Sequence, residues 1–106
     1  MPLPTGPVLL QPYMAQIATL CRMHGVARLE LFGSAATGPF EAGRSDYDFL
    51  VELDAHSPGS RAQRLIELAE ALEALLGAQV DLVNPRYIRN PYFAAEVERT
   101  RQLIHG

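Results

Sequence analysis

Two aspartates separated by a single residue, Asp46 and Asp48, open the run Asp46-Tyr47-Asp48-Phe49-Leu50-Val51-Glu52-Leu53. A third acid, Asp81, stands inside the apolar stretch Gln79-Val80-Asp81-Leu82-Val83. Side chains alternate along a strand, so Asp46 and Asp48 share one face with Cα atoms about 6.5 Å apart. Two carboxylates this close, on a strand whose other face is apolar, repel each other and lose hydration. A divalent cation relieves the repulsion, and hard oxygen donors suit magnesium or manganese. A solvated polar face accounts for the pair equally well. Asp81 has the same two readings. An acid between Val80 and Leu82 is costly unless partnered, yet a lone aspartate facing water or an arginine is common. If the two strands are neighbours, the three carboxylates converge. Such a set can hold two metal ions roughly 3.5–4 Å apart, which clamp the attacking and leaving oxygens of a phosphoryl transfer.

A second constellation precedes the acids. Phe32-Gly33-Ser34-Ala35-Ala36-Thr37-Gly38 follows a short apolar run. A glycine and a serine at the end of a strand, with helix-compatible residues next, can turn backbone N–H groups and a hydroxyl towards a phosphate. Taken alone, the same residues serve as an ordinary strand-ending turn. Arg44, just before the acid pair, is within reach of a triphosphate in principle, although arginines in polar loops mostly meet solvent. Arg86, Tyr87 and Arg89 follow the third acid and read as a solvated loop or as a lining of the nucleotide or acceptor side. His24, His56 and His105 lack metal-ligand spacing with one another or with the one cysteine. That residue, Cys21, falls on an apolar helical stripe and reads as a small buried hydrophobe.

The elements that must position these residues follow from periodicity. Residues 1–12 contain Pro2, Pro4, Pro7 and Pro12 and read as an extended proline-rich arm; residues 13–106 read as one domain. Tyr13, Ile17, Leu20, Cys21 and His24 recur at helical spacing up to Gly25. Val26 to Phe32 is a buried strand, and a loop with Gly38, Pro39 and Gly43 leads to the alternating strand Asp46–Leu53. Ser57-Pro58-Gly59-Ser60 supplies a turn and a helix cap. A strong amphipathic helix then carries Leu65, Leu68, Leu72 and Leu76 to Gly77. Gln79–Val83 is a third strand. Asn90 and Pro91 start a final helix, on which Phe93, Val97, Thr100 and Ile104 share a face. The expected fold is α/β (α+β), a small mixed sheet flanked by helices.

Composition narrows the function classes. The chain has 106 residues, 48% hydrophobic, enough for a single modest core and no second domain. Lys+Arg total 9 against 12 acids, a net charge of −3. Direct binding of long nucleic acid is therefore not expected, since it calls for a basic surface. No run approaches the roughly 18 apolar residues of a membrane span, and no signal-peptide pattern opens the chain. The expected setting is the cytoplasm, with no membrane partner.

Gly33-Ser34, then Asp46-x-Asp48 opening a strand, then Asp81 on the next strand resembles the DNA polymerase beta-like nucleotidyltransferase superfamily. The run Leu31–Gly38 through Ser45–Val51 is especially similar to the minimal nucleotidyltransferases of bacteria and archaea, and the likeness covers the chain from about Tyr13 to the last helix. It implies that Gly33 and Ser34 hold the triphosphate of ATP; Arg44 is a candidate for a further contact by its position alone. By the same likeness, Asp46 and Asp48 bind two magnesium ions, and Asp81 ligates the catalytic one and helps deprotonate the acceptor. The implied reaction is in-line attack on the α-phosphorus with loss of pyrophosphate. Members are typically antitoxins paired with a HEPN-domain ribonuclease toxin, and some transfer AMP to a toxin tyrosine. Many relatives carry arginine where Thr37 stands here, which removes one phosphate contact. So small a domain encloses little of a nucleotide, leaving a partner or a homodimer to complete the site. The alternative is a non-catalytic antitoxin that masks its partner, the acids being vestigial. Transfer to an RNA end or a small drug is opposed by the few basic residues and the single domain.

Overall fold

The computed structural model describes residues 9–37, 46–56 and 59–106. Pro2, Pro4 and Pro7 of the arm, the loop with Gly38, Pro39, Gly43, Arg44 and Ser45, and Ser57-Pro58 lie outside the described residues. Helix α1 (Met14–Met23) is preceded by a 3-10 turn, Gln11–Tyr13, in which Pro12 takes a first-turn position. That position has no use for the missing N–H. Leu9 and Leu10, assigned to the arm from sequence, are helical, and Leu10 is fully buried in the core. Strand β1 (Val26–Phe32) leads through Gly33 into the short helix α2 (Ser34–Thr37), and β2 runs Tyr47–Leu53.

Helix α3 (Arg61–Leu76) opens at Ser60, whose hydroxyl accepts from the Gln63 N–H at 3.3 Å, and stops at Gly77 in a left-handed conformation (φ 64°). Strand β3 (Val80–Val83) and a 3-10 turn, Pro85–Tyr87, precede helix α4 (Pro91–Thr100). The Asn90 carboxamide oxygen caps α4 by accepting from the Tyr92 and Phe93 N–H groups at 2.8 and 3.2 Å.

One expectation is corrected here. The last helix ends at Thr100, and Ile104 lies on a fourth strand, β4 (Gln102–His105). Arg101 is extended (φ −62°, ψ 136°), and the chain reverses to pair with β1, Gln102 opposite Leu31. The 93, 97, 100, 104 spacing fits a helix face. What it cannot register is a vacant sheet edge that satisfies the same four residues as a strand.

The sheet order is β3-β2-β1-β4. Pairs β1–β2 and β1–β4 are antiparallel; β2–β3 is parallel, with α3 as the crossover between them. Alternation sorts the side chains to two faces. Leu29, Leu31, Tyr47, Phe49, Val51 and Val80 pack with Ile17 and Cys21 of α1 and Leu68 and Leu72 of α3 in the main core. On the other face Phe32, Leu50 and Val83 pack with Val97 of α4 and with Ile88, which precedes that helix. Burial of Cys21 pushes its thiol up to about 11, as suits an inert core side chain.

Glu30 is the polar exception on the second face. It is 2% exposed and lies between Leu50 and Leu103 in the register. Its carboxylate takes a forked pair from Arg101, Nε to Oε2 at 2.6 Å and Nη2 to Oε1 at 2.9 Å, and a further bond from Arg28 Nε. These bonds hold its pKa below the ordinary carboxylate value, against the opposing effect of burial. A depressed carboxylate pKa contributes stability that is present above the unfolded value and lost as pH falls through the folded one. Glu30→Gln is expected to cost about 2 kcal/mol at pH 7, below the usual loss for a broken buried pair because both arginines keep solvent access. Urea melts at pH 7, 5 and 3 check this: the deficit should shrink towards zero at the lowest pH.

Candidate active site

The parallel register of β2 and β3 sets Asp48 directly opposite Asp81. The antiparallel register of β1 and β2 sets Phe32, and after it Gly33, against Asp48. The acids, the glycine and the start of α2 therefore meet at one end of the sheet. Asp48 is half-buried and Asp81 exposed, while Asp46 is half-buried at the entrance to β2.

Burial, then the charges of Asp81 and Asp46, then proton sharing with Asp81 push the Asp48 carboxyl up to about 6. Burial is the largest of these effects, and the neighbouring carboxylates add to it. Among the described residues no three His, Cys, Asp or Glu side chains are gathered into a ready metal-ligand group. Asp48 and Asp81 are paired, and Asp46 acts on Asp48 through its charge. The donor set fits a divalent cation: hard oxygens and clustered, partly buried carboxylates.

Gly33 cannot be another residue without disturbance. Its φ is 75°, and a Cβ there would lie 3.1 Å from Asp48 Oδ2. The glycine thus leaves room for the carboxylate. Its own N–H donates to the Thr100 hydroxyl at 3.0 Å, and its carbonyl accepts from the Ala36 N–H. The bond to Thr100 occupies the Gly33 N–H, whatever part Gly33 plays towards a phosphate. Ser34, exposed at the start of α2, remains turned to solvent. Thr100 in turn donates to the Glu96 carbonyl at 2.8 Å, and the Gln102 carboxamide donates to the Ala36 carbonyl at 3.2 Å. The end of α4 and the start of β4 therefore brace the Gly33–Ala36 segment. Sequence reasoning missed Thr100 and Gln102, since neither stands near the acids in the chain; a polar residue on the apolar stripe of α4 was the only signal for Thr100.

Arg44 falls outside the described residues. Arg86, Tyr87 and Arg89 lie beyond the C-terminal end of β3, away from the aspartate pair at its start. No helix among the described residues is long and apolar enough to cross a membrane.

Neutralising Asp48 should relieve the site. A raised acid pKa means that stability falls as pH climbs from about 4 through about 6, because the folded state holds the proton longer than the unfolded one. In chelator, Asp48→Asn is expected to be more stable than wild type by about 1 kcal/mol at pH 8, with no advantage at pH 4. Thermal melts across that range read the difference directly; an unstable variant at pH 8 would contradict the account.

Comparison with known proteins accords with this arrangement. A model of the nucleotidyltransferase domain family matches residues 14–104. A candidate protein adenylyltransferase of Methanocaldococcus jannaschii is 41% identical over 73 residues, 69% of this chain and 71% of that protein. The solved structure of a candidate minimal nucleotidyltransferase superposes with a TM-score of 0.69 at 33% identity, covering 88% of this chain and 90% of the other. A toxin–antitoxin structure with AMP-PNP superposes at 0.65 and 26% identity, over 89% of this chain and 73% of that one.

Proposed function

The chain belongs to the nucleotidyltransferase domain family, and on that footing we propose a magnesium-dependent transfer of AMP from ATP to a hydroxyl of a partner protein. The partner would be a HEPN-type toxin, with this chain as its cytoplasmic antitoxin. The observation that carries the reading is the Asp48–Asp81 pair beside Gly33, a like-charged cluster with its Asp48 carboxyl raised to about 6. The AMP-PNP in a toxin–antitoxin relative and the assignment of the archaeal relative to protein adenylylation support the choice of nucleotide and acceptor class.

Asp46, Asp48 and Asp81 would hold the divalent ions, two by analogy with the family's two-metal chemistry. Bound there, the cations would neutralise phosphate charge and polarise the reacting oxygens. The remaining work falls to the chain's own groups. Ser34 and the N–H groups at the start of α2 would face the triphosphate, held in place by the Gly33–Thr100 hydrogen bond. Arg44 would add a cationic contact. The acceptor oxygen forms its bond to the α-phosphorus as the bond to the bridging oxygen of pyrophosphate breaks. Asp81, the exposed member of the pair, would take the hydroxyl proton.

A competing reading, an antitoxin that only masks its partner, draws on the commitment of the Gly33 N–H to Thr100, which leaves one donor fewer for a phosphate. Transfer of label from α-labelled ATP with magnesium into a HEPN toxin separates the two. Wild type is expected to label the toxin, and Asp48→Asn to reduce labelling at least 100-fold while staying folded. Absence of label with both, alongside equally stable complexes, would establish masking instead.

A further inference from the structure

All nine basic residues of this chain are arginines. Most of those described are spoken for. Arg28 and Arg101 hold Glu30, and Arg99 pairs with Glu96. Arg22 donates to the Thr19 hydroxyl, Arg64 to the Asp54 carbonyl and Arg89 to the Arg86 carbonyl. Among the described residues, Arg61 and Arg86 are the arginines whose side chains make neither a hydrogen bond nor an ion pair. Both line a single cavity of about 240 Å³, whose apolar wall includes Val51 and Leu65. Glu52 also lines it, so the lining carries two guanidiniums and one carboxylate, one positive charge in excess.

The same segment carries exposed aromatic surface. Tyr87 is 70% exposed and Tyr92 86%, on either side of Arg89. Large exposed rings beside unpaired arginines are the composition of protein–protein anchor sites. Over the whole chain acids outnumber Lys and Arg, 12 to 9, which disfavours a nucleic-acid strand as the occupant.

We propose that this surface docks an acidic segment of the acceptor protein, with a Glu or Asp side chain of that segment seated between Arg61 and Arg86. The word acceptor rests on the nucleotidyltransferase reading; the docking chemistry does not. A guanidinium receives a carboxylate through two parallel hydrogen bonds, which gives geometry as well as charge. Glu52 and Asp48 lie on the same face of β2, four residues apart, so the cavity sits about 13 Å from the aspartate pair at ordinary strand rise. An extended segment anchored by its carboxylate spans that distance in about four residues. The acceptor hydroxyl is thus expected at least four residues from an acidic side chain.

The test uses a fluorescein-labelled random copolymer of glutamate and tyrosine, followed by anisotropy at low salt. A lysine–tyrosine copolymer and an oligouridylate of similar length serve as comparisons. Wild type should bind the acidic copolymer in preference to both. Arg61→Glu and Arg86→Glu should each weaken binding at least tenfold, and Arg86→Lys by less. Titration with magnesium-ATP should be the same for wild type and all three variants. Failure of wild type to bind the acidic copolymer, or binding that ignores both charge reversals, would overturn the proposal. Arginine-dependent preference for oligouridylate would assign the surface to nucleic acid, and loss of magnesium-ATP binding in the reversals would assign the cavity to the nucleotide. Wild type that binds the copolymer but not magnesium-ATP would sink the nucleotidyltransferase reading and leave the docking surface standing.

Discussion

Like charges held side by side across a parallel strand pair govern the economy of this fold. Asp48 and Asp81 are brought opposite each other by backbone hydrogen bonding, and neither side chain has a say in that register. The rest of the sheet has to tolerate the repulsion. It does so by placing the pair at the mouth of the sheet, where Asp81 reaches solvent, and by burying apolar side chains immediately behind it. A core position for either acid would require a permanent counter-ion from the protein. The mouth position instead leaves the compensation to whatever binds there.

Rigidity at that mouth comes from the far end of the chain. Thr100 receives the Gly33 N–H, Arg101 grips Glu30 with two hydrogen bonds, and Gln102 donates to the Ala36 carbonyl. Three consecutive residues thus fasten the end of α4 and the start of β4 to β1 and to the turn after it. Glu30 is costly to bury, and its two arginines recover that cost only because they hold it in a forked geometry. The turn after β1 is short, and its residues alone would not hold one conformation. Long-range bonds from a closing strand supply the order that local propensity lacks.

The two ends of the sheet have opposite electrostatic character. Negative charge collects where β2 and β3 begin, and unpaired guanidinium groups collect where they end. Both ends reach solvent, through Asp81 at one and through Arg61 and Arg86 at the other. The spacing between them is set by strand length, a quantity that changes little with side-chain identity.

Much of this was legible in the residues. Strand alternation put Asp46 and Asp48 on one face, and the caps at Ser60 and Asn90 marked the helix starts where the structure has them. These features are local: a two-residue period and a side-chain oxygen three positions from an N–H are decided within one turn or one strand. The sequence also carried the resemblance to the nucleotidyltransferase family, whose model matches residues 14–104. What it left open was every feature that depends on neighbours distant in the chain. Ile104 satisfied a helical spacing, yet β1 had a free edge, and only the assembled sheet offers that edge. The hydrogen bond from the Gly33 N–H to the Thr100 hydroxyl joins residues 67 positions apart, which no local pattern announces. Sequence by itself determined the elements and the chemical types at the site, because those follow from short-range periodicity and composition. The tertiary structure decided which acids stand opposite each other, which donors are already taken and which arginines stay unpaired, because pairing across strands is set by topology and register that no local pattern encodes.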